Sequence, residues 1–383
     1  ILHSLTGTMA ISEKSVVDAT LMAIDEINAR GGVLGRKLQP VVADGASSNT
    51  RFAAEAERLI STEHVSVVFG CWTSASRRTV KPVFEKHNHL LFYPVQYEGL
   101  EESPNIVYTG ASPNQQIIPA VKWAFDNLGR SFFLVGSDYV FPRTANEIVK
   151  DQIMALKGDI LGEEYIPLGG MDVSKAVAGV VGTWPAVILN TINGDTNVAF
   201  FSELRRAGIR PQRIPTMSFS IAEDELRALG AESMVGDYAC WNYFQSIESA
   251  ENRDFVAAFK ARYGASRVTD DPIEAGYFGV HLWAQAVVAA GTPDVSAVRL
   301  AVRDQSMAAP EGIVYIDADN RHTWKTVRIG RVRRDGQFDI VWSTEKPVRP
   351  VPYPVYRSRS QWDDLLSGLA QRWGGGWAYP ERP

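Results

Sequence analysis

VVFGCWTSASRRTVKPVFEKHNHLLFYPVQYEG, residues 67–99, twice runs an apolar strand into a loop of small, polar and aromatic residues. Val67, Val68 and Phe69 read as a buried strand, and Gly70 as its sharp exit. Thr73, Ser74 and Ser76 supply hydroxyls able to cap the helix that follows. That helix is predicted from about Ser76 to His87. Leu90, Leu91 and Phe92 form the next strand, and Tyr93, Gln96, Tyr97 and Glu98 come directly after it. Open parallel sheets bind ligands just outside the carboxyl ends of their strands, so both loops are expected on one ligand-facing edge. The plain alternative is a strand-helix-strand unit in which Trp72, Tyr93 and Tyr97 only plug the end of the core.

The same rhythm extends in both directions. Upstream, ILHSL leads through Thr6, Gly7 and Thr8 to Ser12, a candidate N-cap, and to a helix with Val17, Leu21 and Ile24 on one face. LQPVVAD (38–44) is a second strand, and residues 51–61 form a helix carrying Phe52, Ala56, Leu59 and Ile60. Downstream, strands at 106–110, 132–139, 162–168, 185–191, 216–220 and 237–244 are interleaved with helices at 114–129, 143–156 and 196–207. Alternating β and α elements specify parallel sheets wound with helices, with right-handed crossovers. From Glu251 the pattern turns helical, over 251–262, 272–290 and 294–304. Asp335 and Gly336 mark a hairpin turn inside HTWKTVRIGRVRRDGQFDIVWS, residues 322–343. The tail from Lys346 is rich in Pro, Arg and Trp, with Trp373 and Trp377 as anchors of an otherwise extended segment.

A chain of 383 residues is long for one core and suggests two domains. Its 39 Lys and Arg against 44 Asp and Glu, without a basic run, disfavour a nucleic-acid or anionic-membrane partner. Cys71 and Cys240, the only cysteines, make no disulfide framework, and the sequence leaves open whether they meet. No apolar run reaches the ~18 residues needed to span a bilayer, so a soluble protein is expected. The chain opens on strand-like residues without a signal-peptide pattern, and any secretion signal is expected to lie outside it.

GCWTSASR, FYPVQYEG and SPNIVYTGASPNQQ together resemble the substrate-binding proteins of urea and short-chain-amide ABC transporters, within the branched-chain amino-acid-binding family. The likeness continues through GSDYVFPRTAN (136–146), NTINGDTNVAFF (190–201), VTDDPIEAGY (268–277) and HTWKTVRIG (322–330). It implies a two-lobe α/β periplasmic binding fold of type I, each lobe a largely parallel sheet flanked by helices, with several crossovers between lobes. Residues 1–113 and 245–320 would form lobe 1, residues 114–244 and 321–350 lobe 2, and residues 351–383 a C-terminal extension. The implied function is extracytoplasmic, periplasmic capture of urea or a short amide and delivery to a membrane permease. No cofactor or metal is called for.

The resemblance places Trp72, Thr73 and Ser74 in a first binding loop and Tyr93, Val95, Gln96 and Tyr97 in a second. From the other lobe it contributes Asp138, Tyr139, Asn193, Asp195, Ser218 and Ser220. Urea is planar and uncharged, with one carbonyl and four N–H groups, so its pocket needs many acceptors and one or two donors. Asp138 serves equally as an N-cap for a helix near Pro142, and Asn193-Gly194 as turn chemistry. Trp241 and Glu274 are weaker candidates. Val95 stands where amino-acid-binding relatives often carry a hydroxyl, which speaks against an amino-acid ligand.

A cytoplasmic amide sensor that regulates amidase expression is a second reading, and an amide hydrolase a third. Hydrolysis lacks support in the sequence: there is no G-x-S-x-G elbow, H-E-x-x-H, C-x-x-C or phosphate loop. His87 and His89 lie at the back of a helix, and Arg77, Arg78 and Lys81 beside Cys71 are expected to face solvent.

Overall fold

The computed structural model describes residues 1–379; positions 380–383 of the expected extension lie outside the described residues. The first lobe begins with β1 (Leu2–His3), α1 (Ala10–Ala29), β2 (Ala43–Asp44), α2 (Asn49–Ser61), β3 (Val68–Phe69), α3 (Ser74–Lys86), β4 (Leu91–Tyr93) and β5 (Ile106–Tyr108). Strands β3, β4 and β5 pair in parallel, β1 pairs in parallel with β2, and a bridge from Leu2 to Gly70 joins the two groups. Gly70 is required by that bridge rather than by a turn: a Cβ there would stand 2.1 Å from the Leu2 carbonyl oxygen. The sharp exit falls one residue later, where Cys71 takes a φ of +65°.

The second lobe runs through α4 (Ile117–Asn127), β6 (Ser131–Ser137), α5 (Val140–Leu156), β7 (Asp159–Ile166), α6 (Ser174–Thr183), β8 (Val187–Thr191), α7 (Thr196–Arg206), β9 (Thr216–Ser218), α8 (Glu223–Leu229) and β10 (Tyr238–Trp241). Five of these strands lie parallel in the order β10-β9-β8-β6-β7. The chain then forms α9 (Ala250–Tyr263), α10 (Asp271–Ala290) and α11 (Val295–Ala301), and α10 packs along α1 of the first lobe. Asp270 caps α10 by accepting from Ile273 N at 3.1 Å, and Pro272 stands in the first turn, where a missing N–H costs nothing.

Strands β11 (Ser306–Ala309), β12 (Gly312–Ile316) and β13 (Thr323–Trp324) form a small antiparallel sheet, tied to the first lobe by a bridge between Tyr108 and His322. The last crossing therefore falls after Trp324, later than the boundary at residue 321 expected from the sequence. Strands β14 (Arg328–Val332) and β15 (Phe338–Ser343) are the anticipated hairpin, and β14 adds antiparallel to β10. At this crossing the buried Lys325 ammonium donates to the Thr109 carbonyl at 3.1 Å and lies 3.5 Å from Glu311 and 3.8 Å from Asp271.

The tail departs most from expectation. Instead of an extended segment it carries α12 (Arg359–Arg372), which starts on a capping box made by Ser358 and Gln361. Trp362, Leu366, Leu369 and Trp373 face the second lobe's core beside α5, and Arg357 pairs with Glu147 and Asp151 of that helix. Trp362 is fully buried, and its indole N–H donates to the Pro354 carbonyl at 2.9 Å. Trp362→Ala should lower stability by roughly 3 to 5 kcal/mol, the usual cost of emptying a buried aromatic site. Denaturant unfolding checks this, and an unchanged midpoint would mean that α12 is only laid on the surface.

Candidate functional site

Loops at the carboxyl ends of β1, β3 and β4 meet those after β6, β7, β8 and β9, so strand ends of both lobes face one cleft. Thr73 caps α3, its hydroxyl accepting from Ser76 N at 3.0 Å, so the helix opens at Ser74 rather than Ser76. The Ser74 hydroxyl donates to Glu98, and the Tyr93 hydroxyl to the Trp72 carbonyl at 2.5 Å. The Trp72 indole N–H is buried without a hydrogen-bond partner among the described residues. Gln96 reaches across the cleft, its Nε2 donating to the Phe219 carbonyl at 2.7 Å, while its Oε1 is buried and unpartnered.

Arg77 and Arg78 are buried rather than solvent-facing, at 0% and 8% exposure. Arg77 donates to Glu101 at 2.9 Å, to Ser74 at 3.0 Å and to Glu98 at 3.4 Å. Its guanidinium lies 4.8 Å and 4.3 Å from the ring centres of Tyr93 and Tyr97. Arg78 donates to Glu98 at 3.2 Å and approaches Glu101 at 3.7 Å; Lys81 is half-buried and stands 3.8 Å from Glu101. Burial would raise the Glu101 pKa, but Arg77, Arg78 and Lys81 outweigh it and bring it to about 2. Tyr97 belongs to this support: it stacks on Tyr108 and its hydroxyl meets the Glu101 carbonyl at 3.1 Å.

In the second lobe Tyr139 is the N-terminal residue before α5, with no side-chain capping bond. Burial, then Tyr93 and Glu98 across the cleft, push its phenol well above the ordinary range. Asp138 is not the helix cap; its carboxylate accepts from Arg143 at 2.7 Å. The Asn193 amide turns back to the Thr191 carbonyl at 3.2 Å, and Ser218 accepts from Asn190 at 3.4 Å, so both brace their own strand ends. The Ser220 hydroxyl is buried and unpartnered. Asp195 accepts from the Thr8 hydroxyl of the first lobe, a contact that ties the lobes together. Ser12, expected as an N-cap, instead donates to Glu225 at 2.6 Å, and Ser15 donates to Asp224, both on α8.

A cavity of about 600 Å³ opens beside this cluster, lined by Ser4, Thr8, Glu13 and Thr73 of the first lobe, Leu168 and Gly169 of the second, and Ala378 and Tyr379 of the tail. The tail reaches it by pairing with Asp138–Val140: Val140 N donates to the Trp377 carbonyl at 2.9 Å and Tyr379 N to the Asp138 carbonyl at 2.9 Å. Trp377 also lies under the Arg78 guanidinium, 5.0 Å away. Sequence reasoning missed Glu13 and Thr8. Both follow β1, and the strand-end rule applied to the other loops would have found them.

The arrangement offers little to a nucleophile. Cys71 is fully buried, and burial pushes its thiol far above the range in which a thiolate forms. His89 is buried against the Val65 carbonyl at 2.7 Å, and His87 pairs with Glu57, both on the far side of α3. Among the described residues no His, Cys, Asp and Glu cluster could hold a metal, no helix is long and apolar enough to cross a membrane, and both cysteines are free.

Two α/β lobes facing each other across strand-terminal loops define a periplasmic binding protein of type I. The chain belongs to the family described as periplasmic binding protein domain, whose profile matches residues 1–359. Among curated relatives, Leu/Ile/Val-binding protein homolog 6 of Brucella melitensis is 24% identical over 293 residues, covering 74% of this chain and 75% of that protein. A limonene hydroxylase of Geobacillus stearothermophilus is 36% identical over 124 residues, but the chain spans only 23% of its length. A Rhodopseudomonas palustris ABC-transporter solute-binding protein solved with 3,4-dihydroxybenzoic acid superposes with a TM-score of 0.82 at 22% identity, covering 91% of this chain and 96% of that one. The Streptococcus pneumoniae branched-chain amino-acid transporter binding protein, solved with isoleucine, gives 0.79 at 19% identity, covering 91% and 98%. The protein is thus a solute-binding protein of the ABC-transporter type, a class of binders rather than enzymes.

Closure depends on two glycines. Gly194, at φ +71°, would place a Cβ 2.7 Å from Thr8 Oγ1, and Gly169, at φ +78°, one 3.3 Å from Thr8 Cβ. Gly194→Ala should shift the closed-to-open ratio toward open by roughly 5- to 150-fold, the range of an overpacked contact. Gly208→Ala is the control, since Gly208 has a φ of +82° with nothing within 4 Å. An energy-transfer pair across the lobes reads the ratio, and equal effects of both substitutions would exclude steric control by Thr8.

Proposed function

We propose that the protein captures urea or a short-chain amide between its lobes in an extracytoplasmic compartment and delivers it to an ABC-transporter permease. The lobes, 1–113 with 245–320 and 114–244 with 321–350, would move about their crossovers as hinged bodies. The observation that carries this reading is the state of the cations at the cleft. Arg77 and Arg78 are committed to Glu98 and Glu101, and Arg143 to Asp138. A ligand carboxylate would therefore enter without a free guanidinium to meet it, beside the buried carboxylates of Glu13 and Glu98. Desolvating an unpaired charge costs far more than a neutral amide does.

What both walls leave unpartnered are neutral groups: the Trp72 N–H as donor, Gln96 Oε1 as acceptor and the Ser220 hydroxyl as either. A carbonyl with adjacent N–H groups matches that set. Trp72, Thr73, Ser74, Tyr93, Gln96, Tyr139 and Ser220 would surround the ligand, with Tyr97, Asp138, Asn193, Asp195 and Ser218 holding the walls. The cavity lined by Thr73, Glu13 and Tyr379 is much larger than urea and serves in this reading as the approach to the enclosed cluster.

At a ceiling of about 1.5 kcal/mol per non-hydrogen atom, urea's affinity would approach roughly tens of micromolar. Calorimetry should therefore give micromolar to sub-millimolar binding of urea or of acetamide or formamide, and none of leucine or 4-hydroxybenzoate. Tight binding of either carboxylate with no binding of any amide would sink the proposal.

A further inference from the structure

Glu13 lies in the first turn of α1, is 1% exposed, and lines the cavity at the cleft together with Ser4, Thr8 and Thr73. One carboxylate oxygen, Oε2, accepts from His3 Nδ1 at 2.9 Å and from Ser4 N at 2.7 Å. These two bonds fix the side chain in one orientation. The other oxygen, Oε1, has no hydrogen-bond partner among the described residues, and in this cavity-lining side chain it is the free acceptor. An ionised carboxylate oxygen can only accept. Its preferred neighbour is an N–H group, and a charge-assisted bond of that kind is about twice as strong as a neutral one.

Urea and acetamide differ at one position, where urea carries a second NH2 and acetamide a methyl. Both can satisfy the Trp72 N–H with a carbonyl and Gln96 Oε1 with one amino group. We propose that Glu13 is the residue that distinguishes them, its free oxygen accepting from the second amino group of urea and meeting only a methyl in acetamide. The inference rests on the amide-binding reading above and makes it narrower, assigning urea as the preferred ligand. The selectivity comes from the unmade bond: a methyl pressed against this oxygen displaces water from it and returns no hydrogen bond.

Calorimetric titration of the full chain with urea and with acetamide tests this. The unaltered protein should bind urea at least roughly tenfold more tightly than acetamide, the discrimination expected for one hydrogen bond to a charged group. Glu13→Gln can keep an acceptor toward His3 and Ser4 while turning an NH2 toward the cavity, and should reduce the ratio at least fivefold, mainly by weakening urea. Equal affinities for the two ligands in the unaltered protein overturn the inference and leave the amide reading standing; this measurement does not depend on a variant folding. A urea preference that survives intact in a Glu13→Gln protein of unchanged unfolding temperature overturns it as well. Binding of neither ligand overturns the amide reading and the inference together.

Discussion

Arg77 is the point on which the ligand-facing edge of the first lobe depends. A guanidinium removed from water costs several kcal/mol unless its geometry is close to ideal. Here Glu101, Glu98 and Ser74 take its N–H groups, while the faces of Tyr93 and Tyr97 flank it. The partners come from the start of α3 and from the loop after β4, so one buried cation welds together the two loops that carry Trp72, Ser74, Tyr93 and Gln96. The same pairing removes the positive charge that an anionic ligand would require. Architecture and ligand preference thus follow from one electrostatic arrangement.

A ligand of four heavy atoms cannot bury enough surface to hold two lobes together by itself. Protein contacts across the cleft supply the rest. Gln96 meets the Phe219 carbonyl, Thr8 fits between Gly169 and Gly194 and donates to Asp195, and Ser12 and Ser15 donate to Glu225 and Asp224. Glu225 and Glu223 lie fully buried in α8, where burial raises their pKa, that of Glu223 to about 8. Most of these bonds involve hydroxyls or amides, which water satisfies almost equally well in an open form. Closure is therefore finely balanced, and a few ligand hydrogen bonds suffice to bias it.

Local pattern carried most of the fold. Strand-helix alternation and cap residues such as Asp270 are short-range signals, and the elements they specify occur within a few residues of their expected bounds. What sequence spacing could not convey was partnership over distance. Arg77 and Arg78 look like a solvated helix face because their carboxylates, Glu98 and Glu101, arrive from beyond the next strand. Asp195 and Ser12 likewise read as a ligand acceptor and a helix cap, yet each finds its partner in the other lobe. The tail was different. Ser358 and Gln361 form a capping box ahead of Trp362, Leu366 and Leu369 at helical spacing, a legible signal obscured by the prolines before it and the glycines after it.

The central claim is that a small uncharged amide, and not an acid or amino acid, draws the two lobes together. Small-angle X-ray scattering of the full chain with and without saturating, non-denaturing urea tests it most directly. The account predicts a smaller radius of gyration with urea and no change with leucine. Contraction with leucine and an unaltered profile with urea would contradict it.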